Sequence, residues 1–309
     1  MGSQVFFRRK VLAILFLWVS LSVHAQSKIE SFLSPSDSLN LKRSNTVYIS
    51  ESVLLGGTLV GLNQIWYKDY PKSSFHFLND NDDWLQMDKA GHLFSTYHIG
   101  RFGAEALAWS GAKKKQQLVY GATLGFAFLT VVEVFDGFSQ EWGASWGDVV
   151  ANATGTGLYV SQEMLWKEQR IIPKFSFHTT KYAALRPNTL GSSWNEQILK
   201  DYNGQTYWLS ANVYAFAKAK FVPKWFNFAL GYGADGMVYG SSEIPSGEIV
   251  VETRRIRQFY LSFDVDLTKI PTKSHTLKTL FSVFNTIKVP APALEINQFG
   301  GVKGHFVYF

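Results

Sequence analysis

Three short stretches set ionisable groups three or four residues apart inside otherwise apolar sequence. Asp88, Lys89 and His92 lie in DKAGHLFSTY (88–97), Glu133 and Asp136 in EVFDGF (133–138), and Ser145, Asp148 and Asn152 in SWGDVVANATG (145–155). A helix puts such positions on one face, so each stretch aims its polar side chains in one direction. If the faces converge, one imidazole, several carboxylates, an amide and an ammonium share a centre fit to bind a divalent cation or to run acid/base chemistry. Asp88 would then orient His92 as the base, and Glu133 would bind a cation or act as acid, giving Asp88, His92 and Glu133 as catalytic candidates. Lys89, Asp136, Ser145, Asp148 and Asn152 would complete a binding site. Glu133, Asp136 and Asp148 are the metal candidates, and water on a bound cation would be the nucleophile. The same residues also allow a second reading, a buried polar network that fixes helix register, because ionisable groups in apolar surroundings are kept for function or for specificity.

The elements that must carry these groups follow from periodicity. Residues 47–67 form a mostly apolar helix broken by Glu51 and Asn63, with Gly57 and Gly61 spaced for close helix packing. The acidic run 79–83 (NDNDD) lacks the Gly and Glu of a calcium loop and reads as a turn and helix cap. Helices are then expected over about 84–109, 116–138 and 145–168. The helix over 116–138 contains Gly121 and Gly125 inside the most hydrophobic stretch that follows residue 25.

After Arg170 the period changes from helical to alternating. The clearest strand is RQFYLSFDVDL (257–267), where Phe259, Leu261, Phe263, Val265 and Leu267 share one face and Tyr260, Ser262, Asp264 and Asp266 the other, one apolar and one wet. A short capped helix is expected over 192–202 and an amphipathic one on Leu277, Leu280, Phe281, Phe284 and Ile287. VPAPALE (289–295) reads as extended and GHFVYF (304–309) as a strand. The fold class is α+β: a bundle of about four helices followed by an antiparallel β region, either a sheet on the helices or a small barrel. The divisions are 1–25 as signal peptide, 26–44 as exposed lead-in, 45–170 as helical domain and 173–309 as the β-rich region.

Composition narrows the function. Hydrophobic residues make up 46% and charged residues only 17%, with a mean hydropathy of −0.03. This depletion of charge leans toward membrane association. Arg8, Arg9 and Lys10 precede an apolar run ending in Val23-His24-Ala25, the pattern of a cleaved secretory signal. Removing those three cations takes the formal charge from +6 to +3 and weakens any nucleic-acid reading of the basic pI. With no cysteine in the chain, disulfides, thiolate metal sites and a lipid-modified cysteine are excluded. No phosphate loop, dinucleotide fingerprint, GxSxG elbow or HExxH motif occurs. Asn152-Ala153-Thr154 matches a glycosylation sequon but falls in a helix.

Read in order, DKxxH, E-x-x-D and S-x-x-D-x-x-x-N-x-x-G resemble the YfiM-like family of predicted periplasmic proteins, a domain of unknown function. The skeleton is also similar to the VanZ-like membrane family linked to glycopeptide resistance. The resemblance covers about 84–160 and rests on Asp88, Lys89, His92, Glu133, Asp136, Ser145, Asp148, Asn152 and Gly155. VanZ-like proteins usually carry Gln where Asp136 stands, and often an Arg before the Ser, where this chain has 140–144 (QEWGA). YfiM-like relatives are often lipoproteins. The resemblance implies a site and names no reaction.

Together these readings give an exported cell-envelope protein of a Gram-negative-type bacterium, periplasmic or at the outer membrane. Membrane or envelope lipids are the expected partners, and a divalent cation is the one cofactor the cluster suggests. The Asp/His/Glu/Asp/Asn cluster is structural or ligand-binding. The alternative is a hydrolase or transferase acting on a lipid or phosphate-bearing envelope substrate.

Overall fold

The computed structural model describes residues 28–68, 70–241 and 253–309, apart from the side chains of Ile65 and Trp66. The expected signal peptide lies outside the described residues. Helix α1 (Leu41–Leu62) is capped by Asn40, whose side chain accepts from the Arg43 amide, so it starts inside the expected lead-in. Helices α2 (Met87–Trp109), α3 (Leu124–Gly137) and α4 (Trp146–Leu165) pack against one another. Helical turns from Lys114 lead into α3, and the whole of Lys114–Gly137 is long and apolar enough to cross a membrane.

Small residues set how closely these helices approach. A Cβ on Gly155 would stand 2.2 Å from the Leu93 carbonyl oxygen, and one on Gly125 would stand 2.3 Å from that of Thr96. Any larger residue would drive α4 or α3 off α2. Gly57 and Gly61 differ from expectation: nothing lies within 4 Å of a Cβ at either position. Val47 of α1 packs with Leu107 and Ala112, and the turn that continues α1 brings Tyr67 onto Phe135 and Asp136 of α3.

The second half is one open antiparallel sheet, in the order β1 (Ile171–Phe177), β2 (Gln205–Asn212), β3 (Phe226–Asp235), β4 (Ile256–Val265), β5 (Ala291–Asn297) and β6 (Val302–Tyr308). Of the two expected forms, the sheet is found and not the barrel. The short helix α5 (Trp194–Lys200) is capped by Ser193, and the amphipathic α6 (His275–Phe284) by Ser274. The proline-rich VPAPALE enters β5, and β2 gives way after Asn212 to a short helix over Val213–Ala217.

One feature of the sheet inverts what its alternation suggests. The wet face is the buried one: Lys174, Ser210, Asn227, Ser262 and Asp264 are at most 4% exposed. The apolar face, with Leu230, Phe259, Leu261 and Phe263, is exposed. The strongly curled sheet folds its inner face on itself, so Tyr308 of β6 packs on Tyr260 of β4 and meets Trp208 of β2. Gly231 makes room there, since a Cβ would come within 2.7 Å of the Trp208 ring.

Helices and sheet are joined at both ends of α2. Near its start, Met87 packs with Ala234 and Met237. Further along, the buried His98 bonds the Pro173 carbonyl through Nε2 at 2.7 Å, and Arg101 donates to Ser282. Burial, together with Arg101 beside it, pushes His98 down to about 3, so it is a neutral packing residue. Ahead of α2, Trp84, Leu85 and Gln86 all have positive φ, a costly run for residues with side chains. Tyr232 and Arg257 hold it by donating to the Leu85 carbonyl.

Candidate functional site

The three polar faces do converge, at the start of α2, the end of α3 and the start of α4. Ser145 caps α4 by accepting from the Asp148 amide, and its own amide donates to Glu133 Oε2 at 3.0 Å. This pair fixes the α3–α4 loop and turns Glu133 and Asp148 toward α2. The His92 ring then lies between them, with Nδ1 3.8 Å from Glu133 Oε1 and Nε2 3.8 Å from Asp148 Oδ1. Asn152, one turn after Asp148, brings Oδ1 to 3.0 Å from His92 Nδ1. With the amide oxygen as acceptor, Nδ1 carries the proton and Nε2 keeps its lone pair on the Asp148 side.

The cluster divides into two parts. On one side the Lys89 ammonium contacts Asp80 at 2.6 Å, Asp88 at 2.8 Å and Asp148 at 3.1 Å. Those three carboxylates also have the spacing of a metal site, but a cation of the chain's own already stands among them. On the other side, His92, Glu133 and Asp148 each offer a donor atom within 4.8 Å of the others. Here Glu133 Oε1, Asp148 Oδ1 and Asn152 Nδ2 are buried without any hydrogen-bond partner among the described residues. Their residues are 3%, 5% and 0% exposed, whereas the His92 side chain is 20% exposed and gives access from solvent.

The electrostatics follow from that division. Burial, reinforced by Asp148 and Asp136, pushes Glu133 up to about 8 against the pull of the Ser145 amide. Burial also raises Asp148, although His92 and Lys89 oppose it. Asp88 rises to about 6 for the same first reason, with Lys89 partly offsetting it. Asp80 moves down because the Lys89 and Ser145 hydrogen bonds outweigh its burial. Lys89 is held above its ordinary value by Asp88 and Asp80 although burial works the other way. One ammonium and one imidazole thus face five carboxyl groups, Asp80, Asp88, Glu133, Asp136 and Asp148, and a divalent cation would displace the protons that burial holds on the raised ones.

Not every expected role survives in this geometry. Asp88 pairs with Lys89, and the His92 ring is oriented by Asn152 and flanked by Asp148 and Glu133. Asp136 turns to Tyr67, whose hydroxyl donates to it at 2.7 Å; burial first, moderated by that bond and His92, brings it up to about 6. Among the candidate metal residues, Glu133 and Asp148 therefore meet with His92, while Asp136 stands to one side. Ser145 donates from Oγ to Asp80 and is 2% exposed, so it serves as a cap. The spacing pattern missed Asp80 and Tyr67. Asp80 sits in the acidic 79–83 run read as a turn, and its density of carboxylates was the available signal; Tyr67 gave none.

The donor set of one imidazole nitrogen and two carboxylates, with an amide nearby, fits a borderline-hard divalent ion such as zinc or manganese, with open positions for water. Every residue of the cluster except Tyr67 falls within 76–163. No curated protein and no solved structure matches the chain. Residues 76–163, under a third of the chain, match the model of a family described as "Predicted periplasmic lipoprotein (DUF2279)", whose description supports a periplasmic, cell-envelope location.

Proposed function

We propose that this chain is an exported cell-envelope protein whose helical core binds one divalent cation through His92, Glu133 and Asp148, with Asn152 holding the imidazole. The observation that carries the reading is the trio of unpartnered buried atoms, Glu133 Oε1, Asp148 Oδ1 and Asn152 Nδ2, gathered around one ring. An unpaired buried polar atom costs about 1–3 kcal/mol, so three gathered at one point favour a ligand that satisfies them. Lys89 neutralises the neighbouring Asp80, Asp88 and Asp148 oxygens, which confines the cation to the His92 side. The YfiM-like kinship belongs to this proposal and is supported by the DKxxH, E-x-x-D and S-x-x-D-x-x-x-N residues meeting at one centre. So does contact with the outer membrane, although the chain has no cysteine to carry the lipid named in the family description.

A second reading, a hydrolase or transferase, rests on the same donors. A water held on the cation beside His92 would be the nucleophile, since Ser145 is committed to Asp80 and to the α4 cap. Calorimetric titration of chelator-treated protein with zinc or manganese tests the first reading. One saturable site per chain is expected, lost in Glu133→Gln/Asp148→Asn. Equal binding by that variant, or no saturable binding by the native chain, overturns the proposal.

A further inference from the structure

The exposed face of the sheet is a continuous apolar surface. Leu209, Leu230, Leu261 and Leu294 pair in one row across β2 to β5, beside the pairs Phe228–Phe263 and Phe259–Ile296. Each of these side chains is 37–51% exposed. The sheet has no option of turning this face inward, because its other face already closes around a buried polar network. Apolar outside and polar inside is the arrangement of a sheet whose solvent is lipid.

The β2–β3 connection lies at the strand ends, just past the Asn212–Asn227 pair and next to Phe228. There Phe216, Phe221 and Trp225 alternate with Lys218, Lys220 and Lys224, and no acidic residue occurs in 213–225. Phe221 is 89% exposed and Trp225 39%. Aromatic rings and lysines interleaved in this way suit the headgroup layer, where rings lie at the boundary and ammonium groups reach the phosphates. Arg170 lies over both Trp166 and Phe216, which sets the connection beside the end of α4. The Lys114–Glu163 ion pair brings the basic turn Lys113 to Lys115 to the same end of the molecule. The apolar face is thus bordered by positive charge that complements anionic lipid.

We propose that this sheet face and the 213–225 connection seat the protein on an anionic lipid bilayer. The apolar face contacts acyl chains, and Lys218, Lys220 and Lys224 contact lipid phosphates. A second copy of the chain would cover one face only, whereas Val53 and Leu54 on α1 and Val131 and Val134 on α3 are also exposed. The inference rests on the sheet and is independent of the cation reading.

Flotation of the full chain with detergent-free vesicles tests it. Binding is expected to vesicles of equal parts phosphatidylcholine and phosphatidylglycerol, and to weaken with salt. Lys218→Gln/Lys220→Gln/Lys224→Gln is expected to lower partitioning on the order of a hundredfold. Leu230→Glu/Leu261→Glu is expected to abolish it, with folding checked by near-ultraviolet circular dichroism. Should that variant fail to fold, Phe221→Asp replaces a side chain with almost no protein contact and must itself weaken binding. Unchanged flotation of the variants overturns the proposal. So does a native chain that stays off the vesicles as a dimer split by the same substitutions.

Discussion

The sheet and the helical block each bury a polar network, and the two are built by opposite rules. In the sheet, Lys174 meets Asp264 at 2.7 Å with both side chains wholly buried. Asp264 also accepts from Ser210 at 2.6 Å and from the Val289 amide at 3.0 Å, and Asn227 donates to Ser210. Two buried cations, Lys174 and Lys288, stand against two buried carboxylates, Asp264 and Asp266, and none of Lys174, Asp264, Ser210 and Asn227 keeps an orphaned side-chain atom among the described residues, although Asp266 Oδ2 does. Among the helices, one lysine faces three carboxylates, and Glu133, Asp148 and Asn152 each keep an atom without a partner. A network that satisfies itself specifies the fold; one left with converging open valences is suited to a ligand.

Stability measurements separate the two most sharply. Lys174→Met strands the Asp264 charge in the sheet and is expected to cost about 3–5 kcal/mol in urea denaturation. Glu133→Gln/Asp148→Asn, tested without cation, relieves two crowded acid groups while Lys89 keeps Asp80 and Asp88 as partners, and is expected to stay within about 1 kcal/mol of the native chain or to stabilise it. A loss equal to that of Lys174→Met would make the helical network structural and erase the contrast.

The next effect comes from Lys288, fully buried behind the sheet near the Trp208 ring, where burial lowers it to about 8. Between about 8 and 10.5 the unfolded chain holds this proton and the folded chain does not. Stability therefore rises with pH across that window and is lost as pH falls through it, by an amount on the order of 3 kcal/mol. Lys288→Met should flatten the rise in melting temperature. Cation binding should stabilise the native chain by about 2.7 kcal/mol at a hundredfold excess over Kd and leave the Glu133→Gln/Asp148→Asn melting temperature unmoved. Gly155→Ala is expected to cost about 1–3 kcal/mol, since its Cβ would push α4 from Leu93 and Thr96. That substitution should also weaken zinc affinity by displacing Asp148 and Asn152 from His92; an unchanged affinity would uncouple the close packing from the site.

Much of the site was legible because helical periodicity fixes which residues share a face whatever the helix packs against. Asp148 and Asn152 followed from spacing alone, and Ser145 announced its cap by type and position. Pairing within the cluster was not legible. Asp88 and His92 have the i, i+4 spacing of an oriented base, yet Lys89 lies one residue from Asp88 and its longer stem draws that carboxylate away. Asp80 was hidden because its partners, Lys89 and Ser145, come from distant helix ends. In the fold, Gly57 and Gly61 had the right spacing and no partner helix among the described residues, which composition cannot reveal.

The sequence alone determined the helical faces, the identities of the clustered groups and the two-residue alternation of RQFYLSFDVDL. Tertiary structure decided which side of that alternation is inside. A period of two divides a strand into two faces without saying which one meets the core, and here the polar face closed around Lys174 and Asp264. It likewise decided which carboxylates Lys89 contacts, because whether an ammonium on α2 reaches Asp148 on α4 depends on how closely Gly155 lets the two helices approach.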